Sequence, residues 1–221
     1  MKRFYSLKEW KINVSEIEKE EAVKILKQLS LPTIEVRKIS YDELYDENTL
    51  NFIENYSPLV VVCDPLHSHL PKNGRIGIKN LEELNELISE LPSPKDYKIY
   101  LIEMIEPIRE SYVGVIVSDS YGNLIGEFLK RDYLTDIREL TATNPDPKEL
   151  AHLIVKNNTI KKAPNNISKN DVEYLVRILA NKYGYFELIK GKKKDKTGIY
   201  FTEYQNSKAF TGIIETLYEE D

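Results

Sequence analysis

The run Pro58-Leu59-Val60-Val61-Val62-Cys63 is continuously apolar and largely β-branched, with no polar residue to mark a wetted side. A chain carrying such a run must lay it down as a strand covered on both faces, inside a sheet with other elements packed over it. The flanking segments supply those elements. Apolar residues at Ile17, Ala22, Ile25, Leu26 and Leu29 recur at helical period, with Ser15 and Glu18 spaced as a capping box and Leu31-Pro32 as the stop. Thr33 to Ile39 alternates as a short strand, and Tyr41 to Asn55 reads as a second helix, strongest from Asp46 to Tyr56. His67 to Gly77 reads as an irregular loop or hairpin, Ile76 to Ile78 as a strand, and Leu81 to Leu91 as a helix capped by Asn80. Strands are expected over Lys98 to Ile105, Tyr112 to Ser118 and Asn123 to Leu129, then a helix over Asp146 to Val155. A helix from Ser168 stops at Gly184, and strands at Tyr185 to Ile189 and Ile199 to Tyr204 are joined by a Lys/Gly turn. Hairpins mixed with crossovers in this order fit an α+β fold of two lobes and not a doubly wound sheet.

The totals narrow the function classes. The 221 residues allow one large domain or two small lobes, and the absence of tandem repeats or low-complexity linkers makes a single unit the default. The net charge of −5, with no basic stripe, argues against a nucleic-acid binder. No apolar run approaches the ~20 residues that span a bilayer, and Met1 to Trp10 lacks an apolar leader core. The expectation is a cytoplasmic protein that engages neither membrane nor nucleic acid. The single cysteine, Cys63, excludes an internal disulfide and follows a buried strand, where it is an inert packing residue. The 30% charged content fits a thermophile.

The order of segments, and several short motifs within it, resemble the nucleotide-binding β subunit of ADP-forming acyl-CoA synthetases and, more distantly, the succinyl-CoA synthetase β chain. The motifs are Lys27-Gln28-Leu29-Ser30-Leu31-Pro32 leaving the first helix, Pro58 to Val62, and Gly74 to Leu84. They continue with Leu101-Ile102-Glu103-Met104-Ile105 followed by Arg109-Glu110-Ser111-Tyr112-Val113-Gly114-Val115, and then Ser168 to Glu203. The resemblance implies an ATP-grasp-like α+β unit over residues 1–221. Its small lobe spans approximately 15–100, its large lobe approximately 101–221, and a nucleotide-sized cleft lies between them. It also implies ATP or ADP and Mg²⁺ as cofactors and a CoA-binding α-type subunit as partner.

On that resemblance, Glu103, Met104 and Ile105 present backbone groups to an adenine edge and Glu110 accepts from ribose hydroxyls. His69, with His67 as the alternative, falls at the loop histidine that carries phosphate, and a neutral imidazole is a competent phosphoryl acceptor. His-x-His also reads as a surface metal-binding pair. Three departures weaken the site. The lysine that reaches the phosphates is replaced by Val62, leaving Lys72 and Arg75 as the nearest cations. Ile189 stands where the metal-binding asparagine belongs, and Thr202 or Glu203 takes the place of the aspartate, so that Glu187 and Glu203 remain for one Mg²⁺. Of the glycine pair that cradles phosphate, only Gly126 remains. The expected protein is a divergent relative that binds nucleotide with reduced or no ligase activity alone. The alternative is a non-catalytic regulatory or structural subunit. The lysine run Gly191 to Lys196 reads as a solvated turn.

Overall fold

The computed structural model describes residues 17–119, 121–130 and 150–206. These fall into two compact units. One comprises Lys19–Val23 with Ile34–Ile105, and the other comprises Lys24–Thr33 with the described residues from Glu106 onward. Four helices are described: α1 (Lys19–Gln28), α2 (Glu47–Tyr56), α3 (Leu81–Ser89) and α4 (Lys169–Leu179). The strands are β1 (Val36–Ile39), β2 (Leu59–Pro65), β3 (Asn73–Ile78), β4 (Tyr97–Glu103), β5 (Tyr112–Asp119), β6 (Leu124–Lys130), β7 (Ala151–Lys156), β8 (Thr159–Lys162), β9 (Tyr183–Lys193) and β10 (Lys196–Gln205). The α+β class follows directly from these elements. Ser15 and the segment 131–149 lie outside the described residues, and so does the expected capping box that needs Ser15.

The helix ends follow their local chemistry. Ser30 adopts a left-handed φ of 56° after α1, which lets Leu31 N donate to Leu26 O and Ser30 N to Lys27 O, closing the helix before Pro32. The Asn80 side chain accepts from Glu83 N while Glu83 accepts from Lys79 N, so α3 starts where the sequence pattern places it. Ser168 caps α4 in the same way through Asp171 N.

In the first unit an antiparallel sheet runs in the order β1-β4-β2-β3. One face carries Ile39, Leu59, Val61, Cys63, Ile99 and Leu101, packed with Ile53 of α2 and Leu84, Leu87 and Ile88 of α3. The other face presents Val36, Val60, Val62, Ile76 and Ile102, all half-buried. The apolar run is thus an internal strand, as expected, but its second face is less covered than the sequence suggests. Gly77, at a φ of +83°, is the extra residue opposite Leu59 and Val60. It turns Ile76 and Ile78 to opposite faces of the sheet.

The second unit is built on an antiparallel sheet in the order β10-β9-β5-β6-β7-β8. Its core face carries Ile116, Phe128, Leu153, Phe186, Leu188 and Phe201. The α4 helix is tied to that face where Ser118 Oγ donates to Leu179 O at 3.2 Å and Lys190 Nζ meets Asp171 Oδ2 at 2.7 Å. Phe186 and Phe201 stack edge to face at 5.9 Å.

Three expectations are corrected here. Ala151–Lys156, placed in a helix by the sequence pattern, is strand β7, hairpinned to a β8 that the sequence pattern did not suggest. The alternation of buried Leu153 and Val155 with half-buried His152 and Ile154 is a two-residue period that the preceding Asn-Pro signal obscured. Gly184 does not end α4 but lies within β9, because the helix already stops at Leu179. Most of the lysine run belongs to β9 and β10, and the turn is only Lys194-Asp195.

Gly126 is not the remnant of a phosphate cradle. The fully buried Phe128 ring lies across Gly114 and Gly126. A Cβ would meet ring carbons at 2.5 Å from Gly114 and 2.8 Å from Gly126, so both glycines are required by packing. Gly114→Ala is expected to cost about 2 kcal/mol by overpacking, with part of that recovered when Phe128→Leu is added. Urea unfolding of the two single variants and the double variant checks it.

Candidate functional site

The face of the six-stranded sheet opposite α4 carries an unusual row. Cross-strand pairing sets Glu203 of β10 opposite Glu187 of β9, Glu187 opposite Val115 of β5, Val115 opposite Glu127 of β6, and Glu127 opposite His152 of β7. At the usual strand spacing the row spans roughly 19 Å. Glu203 and Glu127 are 9% and 7% exposed; Glu187 and His152 are half-buried. The next row, Gln205-Tyr185-Val117-Ile125, is buried throughout.

A β-bulge decides the membership of this row. The β9–β10 register pairs Phe201 with Leu188 and then Glu203 with Glu187, so Thr202 is the additional residue. Were Thr202 paired regularly, Glu203 would share the core-facing side of Phe201; because Thr202 is bulged out of the pairing, the carboxylate lies on the side of Glu187. Bulges commonly re-aim a side chain beside a functional site. Of Thr202 and Glu203, it is Glu203 that lies opposite Glu187.

Tyr185 organises the acidic end. Its hydroxyl donates to Glu187 Oε1 at 2.8 Å. Burial, followed by the charges of Glu187, Glu203 and Glu127, pushes its phenol far above the ordinary tyrosine range. His152 is shifted the other way: burial, then the charge of Lys162, lowers its pKa from the ordinary 6.5. It therefore stands as a neutral imidazole near pH 7. Neither Glu127 nor His152 was legible as a site residue, because the mistaken helix over Asp146 to Val155 hid their shared register.

The donor chemistry suits a hard divalent cation. Mg²⁺ commonly takes one or two protein carboxylates and keeps its remaining waters, and the Glu187/Glu203 pair offers two. Among the described residues no group of three or more His, Cys, Asp or Glu side chains gathers closely enough to hold a metal. A cation here would therefore rest on that pair.

The other expected site residues are dispersed. Lys72 pairs with Asp64 at 2.7 Å, and Arg75 pairs with Glu90 at 2.6 Å and Glu86 at 3.7 Å. Arg75 sits opposite Val61, on the helix-covered side, whereas Val62 lies on the half-buried side. Arg75 thus lies on the side of its sheet away from Val62, whereas Lys72 is paired with Asp64, which shares the face of Val62. Glu103 is buried and accepts from Glu35 N at 3.0 Å. Met104 N donates to Pro58 O at 3.3 Å, and Ile105 is 5% exposed. The Glu110 carboxylate lies 3.6 Å from Lys190 Nζ. Lys190 faces the α4 side of its sheet, so Glu110 is separated from Glu187 and Glu203. His67 and His69 are exposed, with rings stacked at 5.7 Å and His67 Nε2 3.9 Å from Asp96. Cys63 is buried, and burial followed by the charge of Asp64 pushes its thiol up to about 12, consistent with an inert packing role.

The sequence matches no established family profile, and no curated protein matches it. Among solved structures the chain is similar to the dinucleotide forming acetyl-coenzyme A synthetase 1 of Ca. Korarchaeum cryptofilum. The TM-score is 0.49 and the identity 14%, over 90% of this chain and 95% of that one. It is similar to N5-carboxyaminoimidazole synthase from Aspergillus clavatus at a TM-score of 0.45 and 13% identity, over 84% of this chain and 43% of that one. For D-alanine-D-alanine ligase from Helicobacter pylori the figures are 0.43 and 16%, over 91% of this chain and 59% of that one. These are ATP-grasp proteins. The chain spans about half the length of the latter two. No helix among the described residues is long and apolar enough to cross a membrane.

The lowered pKa of His152 has a thermodynamic sign. The unfolded chain takes up its proton below about 6.5 while the folded one resists, so the unfolded state binds more protons and stability falls as pH drops through that region. Comparing urea midpoints at about pH 7.5 and about pH 5.5, His152→Gln is expected to lose less stability on acidification than the parent protein.

Proposed function

We propose that this chain is a divergent ATP-grasp protein, related to the β subunit of NDP-forming acyl-CoA synthetases. In this reading it binds ATP or ADP with Mg²⁺ and has reduced or no ligase activity by itself. The observation that carries the reading is the bulge-set pairing of Glu187 with Glu203 on one face of the six-stranded sheet, at the two strands where the resembled family holds its metal. The Mg²⁺ ion, when bound, supplies charge neutralisation for the nucleotide phosphates. The chain's own groups do the rest. Glu187 and Glu203 anchor the cation; Glu103 N and Met104 N are taken by Glu35 O and Pro58 O, so a base would meet only the other backbone groups from Glu103 to Ile105.

Reduced activity is supported by the same residues. Phosphoryl transfer needs fixed cations around the transferred group. Val62 offers none, and Lys72 and Arg75 are held by Asp64, Glu86 and Glu90. These ion pairs favour the second reading, a non-catalytic subunit that partners a CoA-binding chain and retains nucleotide binding for regulation. In the catalytic reading His69, or His67, accepts the γ-phosphoryl group: a ring nitrogen bonds to phosphorus as the bond to the β,γ-bridging oxygen breaks and the nucleoside diphosphate leaves.

Thermal unfolding with Mg²⁺ and ATP, ADP or GTP separates these readings from a fold without a nucleotide site. Saturation to 100 times Kd is expected to add about 2.7 kcal/mol and to require Mg²⁺. An unchanged melting point at millimolar nucleotide, with and without Mg²⁺, sinks both. Incubation with γ-labelled ATP then tests the carrier role. Acid-labile label is expected in the parent protein and not in His69→Ala. Equal label in His69→Ala moves the role to His67, and none in the parent leaves the non-catalytic reading.

A further inference from the structure

Tyr185 lies on β9 two residues before Glu187, on the same face, with its hydroxyl 2.8 Å from Glu187 Oε1. The ring is fully buried and set opposite Gln205 on one side and Val117 on the other. Gln205 is also fully buried, and neither of its amide atoms has a hydrogen-bond partner among the described residues. The phenol therefore lies beside an unsatisfied amide and yet directs its proton along its own strand to the carboxylate. We propose that Tyr185 is a positioning residue for a divalent cation, its hydroxyl holding the Glu187 carboxylate in the orientation that meets the ion together with Glu203. This rests on the metal reading of Glu187 and Glu203 given above.

The physical need for such a residue is specific. Two carboxylates directly opposite on neighbouring strands repel, and each would otherwise turn its side chain outward. A Lys or Arg could restrain one of them, but its positive charge would compete with the metal for the same oxygens. A phenol fixes the orientation by hydrogen bonding and leaves the full negative charge in place. Its stiff ring, with two rotatable torsions and no exposure, holds that orientation at little entropic cost.

Mn²⁺ is the probe, titrated into the full chain without nucleotide and followed by electron paramagnetic resonance, with Tyr185→Phe, Glu187→Gln and the double variant in parallel. Removing an outer partner of a metal ligand typically weakens binding about 10- to 100-fold, and that range is expected for Tyr185→Phe. The double variant is expected to bind no more weakly than Glu187→Gln alone, because a phenol that acts only through Glu187 has nothing left to position. Circular dichroism and the melting point distinguish lost positioning from lost fold. Tight binding by Tyr185→Phe, alongside weakened binding by Glu187→Gln, overturns the positioning role and leaves the metal site standing. Absence of Mn²⁺ binding by the parent protein, or Glu187→Gln binding as tightly as the parent, overturns both. Should Tyr185→Phe fail to fold, ring-labelled tyrosine in the otherwise unaltered protein gives a second reading by NMR. The Tyr185 resonance is expected to move on Mg²⁺ titration and to stay fixed in Glu187→Gln; a stationary resonance in the parent overturns the role.

Discussion

The register between β9 and β10 is the constraint on which the candidate site depends. Side chains alternate along a strand, so a carboxylate reaches a given face only if the count of residues up to it has the right parity. Glu203 is two residues from the core residue Phe201, which regular alternation would place on the same side, and the bulge takes Thr202 out of the pairing so that Glu203 falls opposite Glu187. Placing a second, nearly buried acid beside Glu187 costs free energy through desolvation and like-charge repulsion. A sheet under selection for stability alone would put an apolar residue there, as it does at neighbouring Ile125, Val117 and Val115. The acids thus depart from the apolar pattern along their sheet face, and such a departure is where function is expected.

The two units differ in what they retain. The six-stranded unit carries acidic groups in register, whereas in the four-stranded unit Val62 offers no cation and Lys72 and Arg75 pair with neighbouring acids. On the proposed reading, a triphosphate would rest on a metal counter-ion at Glu187 and Glu203 with no fixed positive charge on the β2 strand. Anchoring through a metal alone gives binding with little bias towards the transferring phosphoryl group, and binding without that bias does not accelerate chemistry.

Much of the fold was legible because the signals were local. Asn80 with Glu83, Ser168 at the start of α4, Leu31-Pro32 after α1, and the turn between β5 and β6 each act within a few residues, and each appears where the sequence places it. The failures share a different cause. The strand β7 reads as part of a helix in the sequence because the five residues Ala151 to Val155 cannot distinguish a short strand from a helical turn until a partner strand is known. Gly184 and Gly126 carry the composition of a cap and a phosphate loop but serve packing across strands, which no window of neighbouring residues reveals. In the site, Glu187 and Glu203 were visible through the resemblance. Glu127, His152 and Tyr185 were not, since their meaning lies in a register running across five strands.

That cross-strand row also limits how such a chain can vary in length. Loss or gain of one residue within β6 or β7 would carry Glu127 or His152 through the sheet to the side of α4, while Val115 and Glu187 stayed put. Evolutionary length changes in this unit should therefore gather in the connections between strands. Relatives that drop the residue equivalent to Thr202 can keep the acid, which then follows Phe201 directly and still falls opposite Glu187, whereas relatives that keep that residue but pair it regularly would turn the acid to the side of α4.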